Sequence, residues 1–137
     1  MTKTLRLQVL LERYAVSRLE PGAPLPAWAD GPGFVTISRT GDELSIVCRE
    51  DRVPTDIVSV RGWIALQFLG PFAFDETGIV LAVVRPLSEA RIGVFVVSTF
   101  DCDHLLLKAS DFPAAELALT KAGHAVLPPG SHPTLAA

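Results

Sequence analysis

The fold is decided by residues 63–99, which read WIALQFLGPFAFDETGIVLAVVRPLSEARIGVFVVST. Residues 63–69 are rich in aromatic and branched apolar side chains, which favours a strand, and Gly70-Pro71 ends it. Residues 92–99 have the same character and predict a second strand. The segment between the two strands is long enough for a helix, so this stretch predicts a strand-helix-strand unit.

The intervening helix has one apolar face. Its apolar residues recur at the spacing of a helix that packs on a sheet, at Ile79, Val83, Leu87 and Ala90. We expect the hydroxyl of Thr77 to cap the first turn. Pro86 lies inside the helix and has no amide hydrogen for the carbonyl of Ala82, so we expect a kink near this position.

The rest of the second half completes a known order of elements. A turn at residues 101–104 leads to a strand at 105–108. Asp111 caps a second helix that ends before Gly123, and residues 124–127 supply a last strand. The resulting order is β-α-β-β-α-β, which is the ferredoxin-like arrangement of the α+β class.

The first half has the same order with reduced helices. Alternating or β-branched segments predict strands at residues 5–11, 14–19, 34–39 and 44–48. The proline-rich stretch at 21–32 leaves room for only a short helical turn. We therefore predict two tandem ferredoxin-like units, residues 1–61 and 62–127, each an antiparallel sheet with helices on one face, followed by a frayed tail at 128–137.

The amino-acid composition favours a globular protein and argues against some classes of partner. Of the 137 residues, 49% are hydrophobic, which suffices for a packed core, and the net charge of −3 argues against binding to nucleic acid or an anionic membrane. The longest apolar run, residues 78–84, is far short of the about 20 residues that span a bilayer. Cys48 and Cys102 fit neither a zinc nor a CxxC spacing. We expect a soluble, cytoplasmic protein.

The strand at 92–99 is apolar on both faces. Phe95 and Val97 lie on one side, whereas Val94 and Val96 lie on the other. Helices cover only one face of a two-layer unit, so the other face needs a second cover. We expect either a homodimer or tight pairing of the two halves, with a partly exposed sheet as the alternative.

Several short motifs occur in order along the chain: Ser38-Arg39-Thr40, Asp42 to Cys48, Gly70-Pro71, Thr77-Gly78-Ile79, Pro86 to Ala90, Ile92, and Ser98 to Asp103. Together they resemble those of ACT-domain proteins of the aspartate-kinase-like and CASTOR arginine-sensor group, which include small bacterial members. The resemblance extends from about Phe34 to His124. It implies tandem ACT-like units that bind a small effector, usually an amino acid, in clefts at unit or subunit interfaces.

The same resemblance implies two binding segments. One is the loop between strand and first helix, with Phe74, Asp75, Glu76, Thr77, Gly78 and Ile79. The other is the end of the following strand and its turn, with Thr99, Phe100 and Asp103. A physical argument also supports the loop as a binding segment, because a helix N-terminus offers unpaired amides to a carboxylate. The alternative is that Thr77 only caps the helix and Gly78 only permits packing. An aspartate such as Asp103 suits an ammonium or guanidinium group, although a solvated turn is the alternative.

Other site chemistries have weaker sequence support. Asp101, Asp103 and His104 are metal-ligand types, but such residues in a hairpin turn usually bond their own backbone. A cysteine nucleophile at Cys48 or Cys102, with His104, His124 or His132 as base, lacks an orienting third group. Asp75 and Glu76 are adjacent and point apart, which argues against an acid-base pair. We therefore predict no catalytic residues, metal or cofactor.

The sequence thus predicts a non-catalytic regulatory sensor. It would bind an amino-acid-like effector, form a homodimer and control a protein partner through ligand-dependent pairing. Two alternatives remain open: an interaction module that needs no ligand, and a small hydrolase on a ferredoxin-like scaffold. The hydrolase alternative is the weaker one, because the sequence lacks an arginine and an asparagine at a phosphate-binding loop.

Overall fold

The computed structural model describes residues 3–73 and 75–130. The chain forms two compact units. The first unit comprises residues 12–63, and the second unit comprises residues 1–11 together with 64–137.

This division differs from the predicted ranges 1–61 and 62–127. The N-terminal strand belongs with the second unit, because it pairs with strands that come more than 50 residues later. Most of the predicted tail, residues 131–137, lies outside the described part of the chain.

The strands follow the predicted order closely. They are β1 (Arg6–Val9), β2 (Tyr14–Leu19), β3 (Thr36–Arg39), β4 (Leu44–Arg49), β5 (Ser59–Leu69), β6 (Phe95–Ser98), β7 (Asp103–Lys108) and β8 (Ala125–Leu127). The α-helices are α1 (Ile79–Glu89) and α2 (Phe112–Lys121), and 3-10 turns lie at Ala27–Ala29, Glu50–Arg52 and Ala109–Asp111. Among the residues with described structure, no helix is long and apolar enough to cross a membrane.

The first unit is a small antiparallel sheet. Its strand order is β3-β4-β2, followed by the beginning of β5, which pairs with β2 through Val16 and Val60. Short 3-10 turns replace both helices of the β-α-β-β-α-β order. The first of them, Ala27–Ala29, lies in the proline-rich segment, which leaves no room for a longer helix. Its core is formed by Leu44, Ile46 and Cys48, with Ala15 packed among them.

The second unit has the β-α-β-β-α-β order from β5 to β8, which confirms the ferredoxin-like prediction and the α+β class. β7 pairs with both β5 and β6, and β1 lies between β5 and β8. The predicted purely antiparallel sheet is wrong here, because β1 and β8 run parallel, with Leu7 opposite Val126. Parallel neighbours need a long crossover, and the chain between these two strands provides one.

Both helices of the second unit cover one face of its sheet. Leu7 and Phe68 from the strands pack with Val83 and Leu87 of α1 and with Leu119 of α2, and all five side chains are fully buried. Three residues of the predicted stripe, Ile79, Val83 and Leu87, are buried on α1, whereas Ala90 is exposed just beyond the end of the helix. Two predicted boundaries move: β6 is shorter than residues 92–99, and the turn lies before Asp103 rather than at 101–104. The packing leaves the N-terminus of α1 beside the end of β6.

Candidate functional site

A cavity of about 320 Å³ lies in the second unit, where the N-terminus of α1 meets the β6–β7 turn. The loop after β5 forms one wall, with Phe72, Ala73 and Glu76. The first turn of α1 forms a second wall, and the segment from Ser98 to Asp103 forms the third. The two segments for which the sequence predicted ligand binding therefore face the same cavity.

The helix begins at this cavity without a side-chain cap. Gly78 is the N-cap residue, with a φ of 84°, and no side chain hydrogen-bonds to the first turn. The prediction that Thr77 caps α1 is therefore wrong, because the left-handed conformation that the chain needs at the helix start suits glycine at residue 78. The amide of Ala82 bonds to the carbonyl of Gly78, and the amides before it have no partner within the helix.

Glu76 fixes the loop that leads into α1. Its Oε1 accepts the backbone N–H of Ala73 at 3.3 Å, and its Oε2 lies 3.0 Å from Nζ of Lys3. Lys3 also donates to the carbonyl of Thr77 at 2.6 Å. These donors lower the pKa of the Glu76 carboxyl, the bond from Lys3 having the largest effect. Sequence reasoning missed Lys3, which lies 73 residues from Glu76.

The β6–β7 turn is held by its own hydrogen bonds. The N–H of Thr99 bonds to the carbonyl of Cys102 at 2.9 Å, and the Thr99 hydroxyl donates to the same carbonyl at 2.7 Å. The hydroxyl of Ser98 donates to Oδ1 of Asp103 across the strand pair. Phe100 stands at the rim with 83% of its surface exposed. The turn thus presents the Asp103 carboxylate in a fixed position.

The structure places six of the nine predicted binding residues along this cavity. They are Glu76, Gly78, Ile79, Thr99, Phe100 and Asp103. Asp75 and Thr77 do not line it, and Phe74 lies outside the described residues. Ser98 and Leu81 also line the cavity and were not predicted; the pairing of Ser98 with Asp103 across the hairpin is a signal that correct turn placement would have supplied.

The electrostatics of the cavity are asymmetric. Three carboxylates line it, those of Glu76, Asp101 and Asp103. No lysine or arginine from the described part of the chain lines it. The N-terminus of α1 supplies the opposite character, since its unpaired amides and the helix dipole favour an anionic group. The arrangement suits a small ligand that carries both a carboxylate and a cationic group.

The metal and nucleophile hypotheses gain no geometric support. Across residues 3–73 and 75–130, no cluster of three His, Cys, Asp or Glu side chains could hold a metal ion. Burial lowers the pKa of His104 to about 4, against a smaller opposing effect of Asp103. Burial also raises the pKa of the Cys48 thiol, and Cys102 accepts a bond from Gln67 at 3.8 Å. His132 lies outside the described residues.

Two family models match this chain. A family model described as an ACT domain matches residues 58–121, and a model described as an N-terminal domain matches residues 12–56. Residues 58–121 of the chain therefore form an ACT domain. The predicted membership of the ACT-domain group is thereby confirmed.

Two solved structures have a fold similar to that of this chain. A crystal structure of a protein from Agrobacterium tumefaciens is 52% identical, covers 95% of this chain and 97% of its own, and superposes with a TM-score of 0.90. The regulatory subunit of aspartate kinase from Thermus thermophilus superposes with a TM-score of 0.61 over 88% of this chain and 99% of its own. At 10% identity, that second match supports the fold alone.

A curated relative of this ACT-domain protein is the cytosolic arginine sensor for mTORC1 subunit 1 of Bos taurus. It is 32% identical over 61% of this chain. The chain spans 30% of the length of that relative.

Proposed function

We propose that this ACT-domain protein binds a free amino acid in the cavity between α1 and the β6–β7 turn and acts as a non-catalytic regulator. The observation that carries the proposal is the convergence of an uncapped helix N-terminus and the Asp103 carboxylate on one cavity of about 320 Å³. That volume lies in the range of small-molecule sites. An amino acid has the two opposite charges that these two walls would recognise.

The proposed pose follows from the two walls. The ligand carboxylate accepts backbone N–H groups at the start of α1, beside Gly78. A cationic group of the ligand faces the carboxylates of Asp103 and Asp101. Glu76 is already paired with Lys3, so the carboxylates of Asp101 and Asp103 are the ones that the lining offers to a cation, and the preferred ligands are basic amino acids. The name of the arginine-sensor relative supports the same class of ligand.

Regulation is proposed to act through pairing of two copies. β6 is an edge strand that pairs with β7, and Val96 on it is 37% exposed. Leu81 and Phe100 are also exposed at the cavity rim. A second copy placed along β6 would cover these side chains, and a ligand in the adjacent cavity would favour the paired state by its higher affinity for it. The cytosolic relatives support a cytoplasmic location for such a sensor.

A calorimetric and thermal-unfolding panel of the twenty amino acids tests the proposal. A basic amino acid at 100 times its dissociation constant should stabilise the fold by about 2.7 kcal/mol. Asp103→Asn keeps an oxygen acceptor for Ser98 but removes the charge, so we expect binding to weaken about tenfold or more. Asp111→Asn, outside the cavity lining, is the matched control and should bind normally. Absence of any amino-acid response would refute the binding claim.

An interaction module that needs no ligand is the second candidate, favoured by the exposed side chains of Phe100 and Leu81. Sedimentation velocity with and without arginine separates the two. The sensor should shift toward dimer when arginine is added, whereas a module without a ligand should sediment identically in both samples.

A further inference from the structure

A second cavity, of about 340 Å³, lies in the second unit beside the strands β1 and β5. It shares only Asp101 and Cys102 with the cavity described above, so the β6–β7 turn separates the two spaces. Nothing in the proposed amino-acid site uses its other lining residues.

The polar lining of this second cavity follows from strand alternation. Leu7 and Phe68 face the helices and are fully buried, so their neighbours along β1 and β5 face the opposite side of the sheet. Gln8 lies opposite Gln67 in the antiparallel pair, and Arg6 is two residues before Gln8 on the same face. Three polar side chains that line the cavity therefore share one sheet face.

The side chain of Gln8 is hydrogen-bonded to backbone carbonyls and forms a fixed part of the cavity wall. Its side chain is completely buried, and its Nε2 donates to the carbonyl of Val9 at 2.9 Å and to that of Pro128 at 2.8 Å. The bond to Pro128 attaches the end of β8 to β1. The donors that remain for a ligand are therefore those of Arg6 and Gln67.

Arg6 and Gln67 are both weakly engaged. Arg6 is exposed and forms no ion pair with a side-chain carboxylate of residues 3–73 or 75–130. The Gln67 Nε2 lies 3.8 Å from Cys102 Sγ, and thioether or thiol sulfur is a weak acceptor. An oxyanion would give the amide a better acceptor and would give the guanidinium the planar, two-oxygen partner that it favours.

We propose that this cavity is a second ligand site, which takes a small molecule through a carboxylate or phosphate group held by Arg6 and Gln67. Its cation and its amide donor lie on β1 and β5 and take no part in the amino-acid cavity, although Asp101 and Cys102 line both spaces. The charges of the two linings also differ. The described lining of the first cavity has carboxylates and no lysine or arginine, whereas that of the second has the guanidinium of Arg6 and a single carboxylate, that of Asp101.

Nuclear magnetic resonance titration tests the proposal. Inorganic phosphate and acetate are added separately to nitrogen-15 protein, with chloride keeping the ionic strength constant. We expect saturable shifts of the Arg6 Nε and Gln67 side-chain signals with at least one of the two anions, and the preferred anion identifies the ligand group. Arg6→Gln and Gln67→Leu should each weaken that binding about tenfold. Arg85→Gln, which removes an exposed cation paired with Glu89, is the control and should leave it unchanged.

Two outcomes would overturn the site. One is the lack of saturation with both phosphate and acetate, and the other is equal binding by the Arg6→Gln variant and the unmodified protein. The amino-acid panel is run on the same variant. Arg6→Gln should keep the amino-acid affinity that Asp103→Asn weakens, so failure of either site is distinguishable from failure of the other.

Discussion

The imidazole of His124 completes a hydrogen bond that α1 lacks at Ala82. Pro86 lies four residues after Ala82 and has no amide hydrogen for its carbonyl. The His124 Nε2 lies 2.8 Å from that oxygen, and its Nδ1 accepts the N–H of Leu5 at 3.0 Å. With Nδ1 as acceptor, the proton resides on Nε2, so the neutral ring joins α1 to the segment before β1.

We expect His124→Phe to lower the free energy of unfolding by about 2–4 kcal/mol. The ring volume is nearly retained, but a buried carbonyl and a backbone N–H both lose their partners. Urea unfolding followed by circular dichroism measures the change. A loss below about 0.5 kcal/mol would mean that both groups find water.

Pro86→Ala provides the matched background for the same substitution. Alanine restores the amide that the Ala82 carbonyl normally receives within a helix. His124→Phe should therefore cost less in the Pro86→Ala protein than in the unmodified protein. Equal costs in the two backgrounds would contradict the assigned bond, because a double-mutant cycle isolates the shared interaction.

The order of elements was predictable because it rests on local periodicity. The aromatic and branched apolar side chains of residues 63–69 indicate a strand, and the stripe containing Val83 and Leu87 indicates a helix, without knowledge of the rest of the chain. The place of β1 was not predictable in this way. Its partners in β5 and β8 are determined by packing of distant segments, and the pairing of Leu7 with Val126 leaves no periodic signal.

The residues of the candidate site also differ in how they could be predicted from the sequence. Gly78 and Ile79 were predictable from the helix start, whereas Thr99, Phe100 and Asp103 came from resemblance to a family. Lys3 carried no signal, because its bond to Glu76 depends on how the N-terminal segment crosses the loop. Ligand binding at these residues stays a prediction.

Replacement of Gly78 by alanine should destabilise the protein by about 1–2 kcal/mol. Its φ of 84° disfavours any residue with a Cβ, although a Cβ there would meet nothing closer than 3.9 Å. The cost is therefore backbone strain alone. Gly93→Ala is the control, since Gly93 lies outside the left-handed region and a Cβ there meets nothing within 4 Å. Chemical denaturation of both variants should give a clear loss only for Gly78→Ala.

Removal of the Lys3 amine should raise the pKa of Glu76 toward its ordinary value of 4.5. In the folded protein this carboxyl stays ionised to lower pH than in the unfolded chain. Its stabilising contribution is therefore present above pH 4.5 and is lost as the pH falls through the lower folded value. Carbon-13 NMR titration of the Glu76 carboxyl in Lys3→Met tests this. An unchanged titration would assign the low pKa to the Ala73 amide instead.

His104 should make the protein less stable in mild acid. Burial holds its pKa at about 4 in the folded chain, against 6.5 for the ordinary side chain, and the residue is only 8% exposed. The unfolded chain therefore binds more protons between these values, so the free energy of unfolding falls as the pH is lowered from 6.5 toward 4, by up to about 3 kcal/mol. Unfolding at pH 7 and pH 5 measures the loss, and His104→Gln should remove most of the difference. A loss of equal size in that variant would assign the pH dependence to other groups.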